Sequence, residues 1–251
     1  MLAGTAPTGQ TSRRAYGRIT PVNDDFLTTY QLAPSILSAA FSRLGDDIKE
    51  VMDAGVRVIH VDVMDGRFVP NITIGPVVIA GIRELVHDAG GVLDVHLMID
   101  APERYIEDFA HAGADWICVH AEACTHLNMT LSQIRAAGCK AGVSLNPATP
   151  LNVIQEVTGD IDFALMMTVN PGFSGQKFIG SVLPKIARAR KLLPPEVGLE
   201  VDGGVAADTI EAVLDTGANL LVAGSAVFGA ADPAAVASRL MAAMEARAAA
   251  K

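Results

Sequence analysis

Tryptophan occurs once, aromatic residues make up 5% of the chain, and cysteine occurs three times. A core with so few rings must be built from Val, Ile, Leu, Met and Ala. The three cysteines, Cys118, Cys124 and Cys139, form no C-x-x-C pair. That excludes a disulfide framework and points to a reduced, cytoplasmic setting. Basic residues are outnumbered 19 to 28, for a formal net charge of −9. Such a balance argues against nucleic acid as a partner. It leaves room for a small phosphorylated ligand, because backbone amides and helix dipoles can hold one phosphate. No apolar run reaches the length of about 18 residues that marks a membrane span, so no membrane association is expected. No secretory signal is visible.

What is present is apolar bulk. Half of the 251 residues are hydrophobic, and mean hydropathy is +0.34. Disordered chains have the opposite composition. Residues 1–30 stand apart, rich in Thr, Gly and Pro, without periodicity, and with Arg13, Arg14 and Arg18 before any acid. They read as a flexible extension, with organelle targeting left open. The remaining residues, 31–251, read as one domain.

From residue 31 short β-branched runs alternate with amphipathic stretches, the pattern of parallel strand–helix units. Strands are predicted at 31–37, 56–64, 92–98, 116–120, 140–145, 163–169, 198–202 and 220–223. Helices are predicted after Ser42, Gly75, Ala101, Thr125, Thr149, Gly175, Ala206 and Gly224, with Gly55, Gly90, Gly113, Gly138 and Gly217 as C-terminal caps. This rhythm fits a single-domain α/β fold, the (β/α)8 or TIM barrel. A doubly wound open sheet would gather its ligand groups at one crevice. Here a polar residue lies at or just after every strand: Ser38, Asp62 and Asp65, His96, His120 and Glu122, Asn146, Asn170, Asp202, and Ser225. In a barrel these strand ends converge.

Several apolar strands carry ionisable residues at alternate positions, so that they share a face. His60, Asp62 and Met64 do so in the second strand, Asp94, His96 and Met98 in the third, and Glu200 and Asp202 in the seventh. A lone buried carboxylate is strongly unfavourable, and a shared cation would relieve several at once. His60, Asp62, His96 and Asp202 are therefore the candidate metal ligands, a set suited to Zn2+, Fe2+, Mn2+ or Co2+. His120, Glu122 and Cys124 also share parity but read as a polar strand end. His87, His111 and His126 read as surface residues and Trp116 as core. Three glycine-rich stretches follow the last strands: Asn170 to Gln176, Gly203-Gly204 and Gly224-Ser225. Glycine lets amides approach an anion closely, and barrels often seat phosphate at these loops.

Taken together, Ala33-Pro-Ser-Ile-Leu-Ser38, His60-Val-Asp-Val-Met-Asp-Gly66, Asp94-Val-His-Leu-Met98, Asn146-Pro-Ala-Thr-Pro150, Met167-Thr-Val-Asn-Pro-Gly-Phe173, Val201-Asp-Gly-Gly204 and Val222-Ala-Gly-Ser-Ala226 closely resemble ribulose-phosphate 3-epimerases. Phe68-Val-Pro-Asn-Ile-Thr-Ile-Gly-Pro76 belongs to the same set, which runs in order over residues 31–230. The resemblance implies a metal-dependent barrel that interconverts D-ribulose 5-phosphate and D-xylulose 5-phosphate in the pentose phosphate pathway. It implies His60, Asp62, His96 and Asp202 as ligands of one divalent ion per subunit, Zn2+ or Fe2+ before Mn2+ or Co2+. Asp62 and Asp202 are then also the two acid–base groups, working through a metal-stabilised enediolate. It places Ser38, His96, Met64, Met98 and Met167 around the substrate. It seats the phosphate on Gly172, Phe173, Ser174 and Gly175, with Gly203, Gly204, Gly224 and Ser225. A homo-oligomer, dimer or hexamer, is implied as well. Arg67 stands where many members have His, and Ser174 where many have Gly. The nearest rival is a 3-epimerase of a phosphorylated hexulose such as D-allulose 6-phosphate. A keto-sugar-phosphate decarboxylase would lack the full His/Asp/His/Asp set, and a non-catalytic sugar-phosphate-binding barrel would lack Asp62 or Asp202.

Overall fold

In a computed structural model, residues 24–249 are described. Eight parallel strands form one sheet in the order β1-β8-β7-β6-β5-β4-β3-β2. They are β1 (Gln31–Pro34), β2 (Val58–Met64), β3 (Val92–Met98), β4 (Trp116–His120), β5 (Lys140–Leu145), β6 (Phe163–Met167), β7 (Gly198–Asp202) and β8 (Leu220–Ala223). The two ends of the sheet meet at a single parallel bridge, Ser35 to His60, so the barrel is nearly closed. The α-helices are α1 (Leu44–Asp53), α2 (Pro76–Asp88), α3 (Ile106–Ala112), α4 (Leu127–Ala136), α5 (Leu183–Leu192), α6 (Ile210–Leu214), α7 (Ser225–Phe228) and α8 (Pro233–Ala249). No described helix is long and apolar enough to cross a membrane.

Alternation along each strand divides the core in two. Outward residues such as Ile59, Val61, Val63, Leu93, Val95 and Leu97 pack with the helices. Inward residues form layers. The lowest is apolar, with Val58, Val92, Trp116, Phe163 and Leu220, and Trp116 and Phe163 meet ring to ring at 5.5 Å. Above it the interior turns polar, with His60, Asp94 and Glu200 fully buried. Phe163 pairs in register with Gly142 on one side and Gly198 on the other. The two missing side chains make room for its ring. A Cβ on residue 142 would lie 2.3 Å from Phe163 Cζ.

Several boundaries differ from those the sequence predicts. β1 stops at Pro34, because Ser35 turns its hydroxyl back to accept the Leu37 N–H and opens a 3-10 turn over Ile36–Ser38. β2 starts at Val58 and β6 ends at Met167. No α-helix follows Thr149. The β-branched Val153, Ile154, Val157 and Thr158 disfavour one, and two 3-10 turns, Leu151–Val153 and Gln155–Val157, span the gap. The helix expected after Gly175 begins only at Leu183, with Pro184 in its first turn. Two helices, α7 and α8, follow β8. The five cap glycines all have positive φ; at Gly113 (φ 118°) the N–H reaches the Phe109 and Ala110 carbonyls.

The extension also needs correction. Residues 24–30 belong to the barrel rather than to a flexible tail. Leu27 is buried against the lowest layer, and Asn219 Nδ2 donates to the Leu27 and Thr29 carbonyls at 2.9 and 3.0 Å. Residues 1–23, and with them the rest of the expected extension, lie outside the described residues.

Overpacking a dense core costs about 1–3 kcal/mol. Gly142→Ala is expected to lower unfolding free energy by that amount in urea titrations. The penalty should shrink in a Phe163→Leu background, and simple additivity of the two changes would contradict the close approach.

Candidate active site

Strand register assembles the site. β2 and β3 pair His60 with Asp94 and Asp62 with His96, while β6 and β7 pair Met167 with Asp202. All these residues take inward positions near the C-terminal strand ends, where barrel active sites lie. His60, Asp62, His96 and Asp202 each offer one donor atom within 4.8 Å of the others, an arrangement that could hold a metal ion. Asp62 Oδ1 lies 3.3 Å from His60 Nε2 and 3.2 Å from His96 Nδ1. Asp202 Oδ2 lies 4.0 Å from His96 Nδ1. His60 Nε2 is buried and has no hydrogen-bond partner, as befits a ring nitrogen turned toward a cation. The donor set, two imidazoles and two carboxylates, is one that Zn2+, Fe2+, Mn2+ and Co2+ accept.

Beneath and beside these four lies a supporting layer. His60 Nδ1 meets Asp94 Oδ2 at 2.5 Å, with Glu200 Oε1 at 3.8 Å. Ser35 donates its hydroxyl to Asp62 Oδ2 at 2.5 Å. His96 Nε2 meets His120 Nε2 at 2.9 Å, and the two rings stack at 4.9 Å. His120 Nδ1 in turn faces Glu122 Oε2 at 3.3 Å.

Burial and charge set the protonation states. Burial pushes the Asp62 carboxyl up, but the charge of His60 and the close ring nitrogens of His60 and His96 outweigh it and hold the group well below the usual carboxylate range. Asp202 is pushed up to about 7, by burial first and by the neighbouring charge of Asp62 second. Burial works to neutralise His60, yet Asp94 and Asp62 together hold its imidazole well above the ordinary value. Glu200 is driven up by burial and by Asp94. His96 is lowered by burial, and His120 falls to about 4 for the same reason.

A pocket opens above this centre. Ser35, Ser38, Asp62 and Asp202 line it together with Met64, Met98 and Met167. The three methionines are almost fully buried. Its far wall is made by Gly172, Phe173, Ser174, Gly175, Gly203, Gly204, Gly224 and Ser225, the residues the sequence marks for phosphate. Gly203 and Gly204 have φ of 118° and 68°. A Cβ at Gly203 would lie 2.8 Å from Val169 N, so this turn requires glycine on both counts. Asn71 Nδ2 holds the Gly172 carbonyl at 2.9 Å, and Ser38 and Ser174 join hydroxyl to hydroxyl across the mouth at 2.8 Å.

The structure thus brings every candidate residue to one end of the barrel. His60 and His96 lie below the pocket surface, fully buried. Ser38 stands at the rim, and Ser35, which the sequence did not single out, is the serine that touches Asp62. Asp94 and Glu200 share parity with the candidate ligands but stand outside that set. His120 and Glu122 are more than a polar strand end, since they continue from His96. Cys124, by contrast, joins no metal-ligand group among the described residues. His87 is bonded to Asp115 at 2.8 Å on the outer face, and Trp116 is buried as expected.

The model of the ribulose-phosphate 3 epimerase family matches residues 31–228. A ribulose-phosphate 3-epimerase of Bacillus subtilis is 55% identical over 206 residues, covering 80% of this chain and 94% of that protein. One from Synechocystis is 58% identical over 205 residues, covering 79% and 87%. A crystal structure of 3-hexulose-6-phosphate synthase from Salmonella typhimurium superposes with a TM-score of 0.67 at 19% identity, covering 86% of this chain and 99% of that one. That last likeness concerns the barrel fold alone. The sequence match across nearly the whole barrel shows that this chain belongs to the ribulose-phosphate 3-epimerase family of isomerases.

Proposed function

We propose that the chain inverts C3 of D-ribulose 5-phosphate to give D-xylulose 5-phosphate, as a step of the pentose phosphate pathway, with Asp62 and Asp202 as the two proton-transfer groups. The observation that carries this is a pair of aspartates from β2 and β7 facing one pocket with opposed proton affinities. Asp62 is held ionised, while Asp202 is pushed up to about 7. Carboxylates whose surroundings push them apart in this way mark an acid and a base.

The C3 proton of a 2-ketose is acidic because C2 is a carbonyl. One aspartate takes that proton from one face, the other delivers a proton to the opposite face, and C3 inverts; in the reverse direction the roles exchange. Ser35, bonded to Asp62 Oδ2, fixes the direction in which this carboxylate presents its other oxygen. Met64, Met98 and Met167 make an apolar wall that keeps water from the reacting carbon. The phosphate lies against the glycine loops after β6, β7 and β8, whose exposed amides fit an anion.

His60, Asp62, His96 and Asp202 would hold one divalent ion, Zn2+ or Fe2+ in first place. When bound, it supplies positive charge against the negative charge that develops on the substrate's oxygens. The sparse cysteines, three in the chain and none in a C-x-x-C pair, support a reduced, cytoplasmic compartment.

Asp62→Asn and Asp202→Asn are each expected to cut epimerisation by at least about 10²–10⁴-fold, the usual share of a general acid or base. Proton NMR of D-ribulose 5-phosphate in D2O measures this directly, by loss of the C3 proton signal and growth of the epimer. Near-wild-type turnover in either variant would refute the two-base scheme, and faster turnover of D-allulose 6-phosphate would refute the substrate. Retained activity in chain verified free of metal would remove the ion's role.

A second test uses protons instead of turnover. A carboxyl must lose its proton to bind a metal, and Asp202 keeps its proton up to about pH 7. Zn2+ binding at pH 6 should therefore release about one more proton per ion than at pH 8.5. Calorimetry in buffers of different ionisation enthalpy reads the difference, which Asp202→Asn should abolish.

A further inference from the structure

Two of the four candidate ligands have their outward atoms fixed by a carboxylate or a hydroxyl: Asp94 holds His60 Nδ1 and Ser35 holds Asp62 Oδ2. The N–H and hydroxyl of Thr168 hold the Asp202 backbone carbonyl. His96 is different. Its outer nitrogen, Nε2, meets only another imidazole nitrogen, His120 Nε2, at 2.9 Å. Two ring nitrogens at that distance share one proton, since two N–H groups would clash and two lone pairs would repel. Which ring supplies it decides whether His96 Nδ1 carries a proton or a lone pair.

The choice is made further out. His120 Nδ1 faces Glu122 Oε2 at 3.3 Å. Glu122 cannot turn away. Its Oε1 accepts the Asn146 N–H at 2.8 Å and the Thr149 hydroxyl. That loop is itself pinned by Lys185, whose Nζ donates to the carbonyls of Asn146, Pro147 and Thr149 at 2.7, 3.1 and 3.3 Å. A carboxylate only accepts, so Glu122 draws the one remaining Nδ1 proton to His120, in competition with Asp62 Oδ1, which would hold it on His96 Nδ1 3.2 Å away. Where Glu122 prevails, His120 Nε2 is a lone pair, His96 donates from Nε2, and His96 Nδ1 is free to offer a lone pair. This lone pair points at Asp62 Oδ1, 3.2 Å away, and toward Asp202 Oδ2, 4.0 Å away. Three acceptors converging in this way call for a cation among them.

We propose that Glu122 is a positioning residue of the metal centre: acting through His120, it fixes the His96 tautomer that offers Nδ1 to the ion. This rests on the metal assignment made above, and it gives Glu122, whose side chain is 23% exposed, a task that a polar strand end would not have. It acts two side chains away from the nearest ligand atom.

Glu122→Gln inverts the chain by changing one atom. The new side-chain amide would keep its carbonyl toward Asn146 and Thr149 and turn its NH2 group toward His120 Nδ1. That group donates, so the His120 proton moves to Nε2, His96 Nε2 becomes the acceptor, and the His96 proton moves to Nδ1, where it blocks the ion. In the metal-depleted full chain, labelled with 15N-histidine, long-range 1H–15N correlation should show a larger share of His96 protonated on Nε2 in wild type than in Glu122→Gln, where the proton shifts to Nδ1. Zn2+ affinity, read by chelator competition, should fall about 10- to 100-fold, as is usual when a group behind a ligand is lost. His120→Gln separates the two ends, because its amide can present a carbonyl to His96 whatever residue 122 is. The double variant His120→Gln/Glu122→Gln should bind Zn2+ more tightly than Glu122→Gln alone. Equal affinity of wild type and Glu122→Gln, an unmoved His96 tautomer, or failure of that rescue each overturns the proposal. A wild-type chain that takes up no Zn2+ overturns the metal assignment itself, an outcome separate from all three.

Discussion

Four carboxylates in one barrel interior are the constraint on which the upper half of this molecule depends. Asp94 and Glu200 are fully buried, Asp62 nearly so, and Asp202 only partly open to the pocket. In an apolar medium each would be costly as an unpaired anion. The chain relieves the cost in three ways. His60 stands between Asp94 and Asp62 and is held protonated by both. Glu200 and Asp202 are driven toward their neutral forms. Ser35 contributes a hydroxyl to Asp62. Even so, His60 Nε2 and both Glu200 oxygens are buried without hydrogen-bond partners, so the relief is incomplete. An interior that stays short of positive charge after its own groups have adjusted is one arranged to receive it.

The lower half of the barrel makes this arrangement possible. Trp116, Phe163, Leu220 and Leu27 close the floor with apolar side chains, and Gly142 and Gly198 are absent side chains in the same sense, giving Phe163 its place. Water is thereby kept from the polar layer on one side, and the methionines limit it on the other. Within a dry interior charges act on one another more strongly than in water. The strong opposite displacements of Asp62 and Asp202 follow from that sealing as much as from their mutual distance. Floor and mouth thus divide the work, packing below and chemistry above, as barrels generally do.

Much of this is legible in the sequence, and the exceptions share a cause. Period-two alternation locates seven strand starts and six strand ends to the residue, because each strand is bounded by turn-forming residues and buried on both faces. Parity puts His60, Asp62, His96 and Asp202 on inward faces, since a strand fixes which side chains share a face, but it puts Asp94 and Glu200 there too. What is not legible depends on neighbours across the sheet. Ser35 matters because its bridge to His60 closes the barrel, a contact between strands that are distant along the sheet. His120 and Glu122 matter because β3 sets His96 beside β4. The stretch after Thr149 has helical spacing and fails to form a helix because of its β-branched residues. Residues 24–30 resemble tail because Phe26 and Leu27 are one short apolar pair among polar residues, without periodicity; the barrel floor is what buries Leu27.

The asymmetry between the two aspartates bears on how such a site can run in both directions. An inversion at one carbon needs each aspartate to be a base in one direction and an acid in the other, so neither can be locked in one state. Without a bound ion this chain keeps Asp62 strongly ionised and Asp202 near neutrality, a pairing suited to one direction only. Most of what separates them is electrostatic: His60 favours the charge on Asp62, and Asp62 disfavours a second charge on Asp202. A positive charge shared by both carboxylates weakens the second effect, because Asp202 no longer faces an unbalanced anion. It leaves the first in place, because a cation held among these residues would favour the charge on Asp62 at least as strongly as the His60 proton does; the two groups would draw together because Asp202 comes down. The proposed metal would then do more than assist the substrate. It would bring the two acid–base groups closer in strength, and reversibility would be a property of the loaded site rather than of the aspartates themselves.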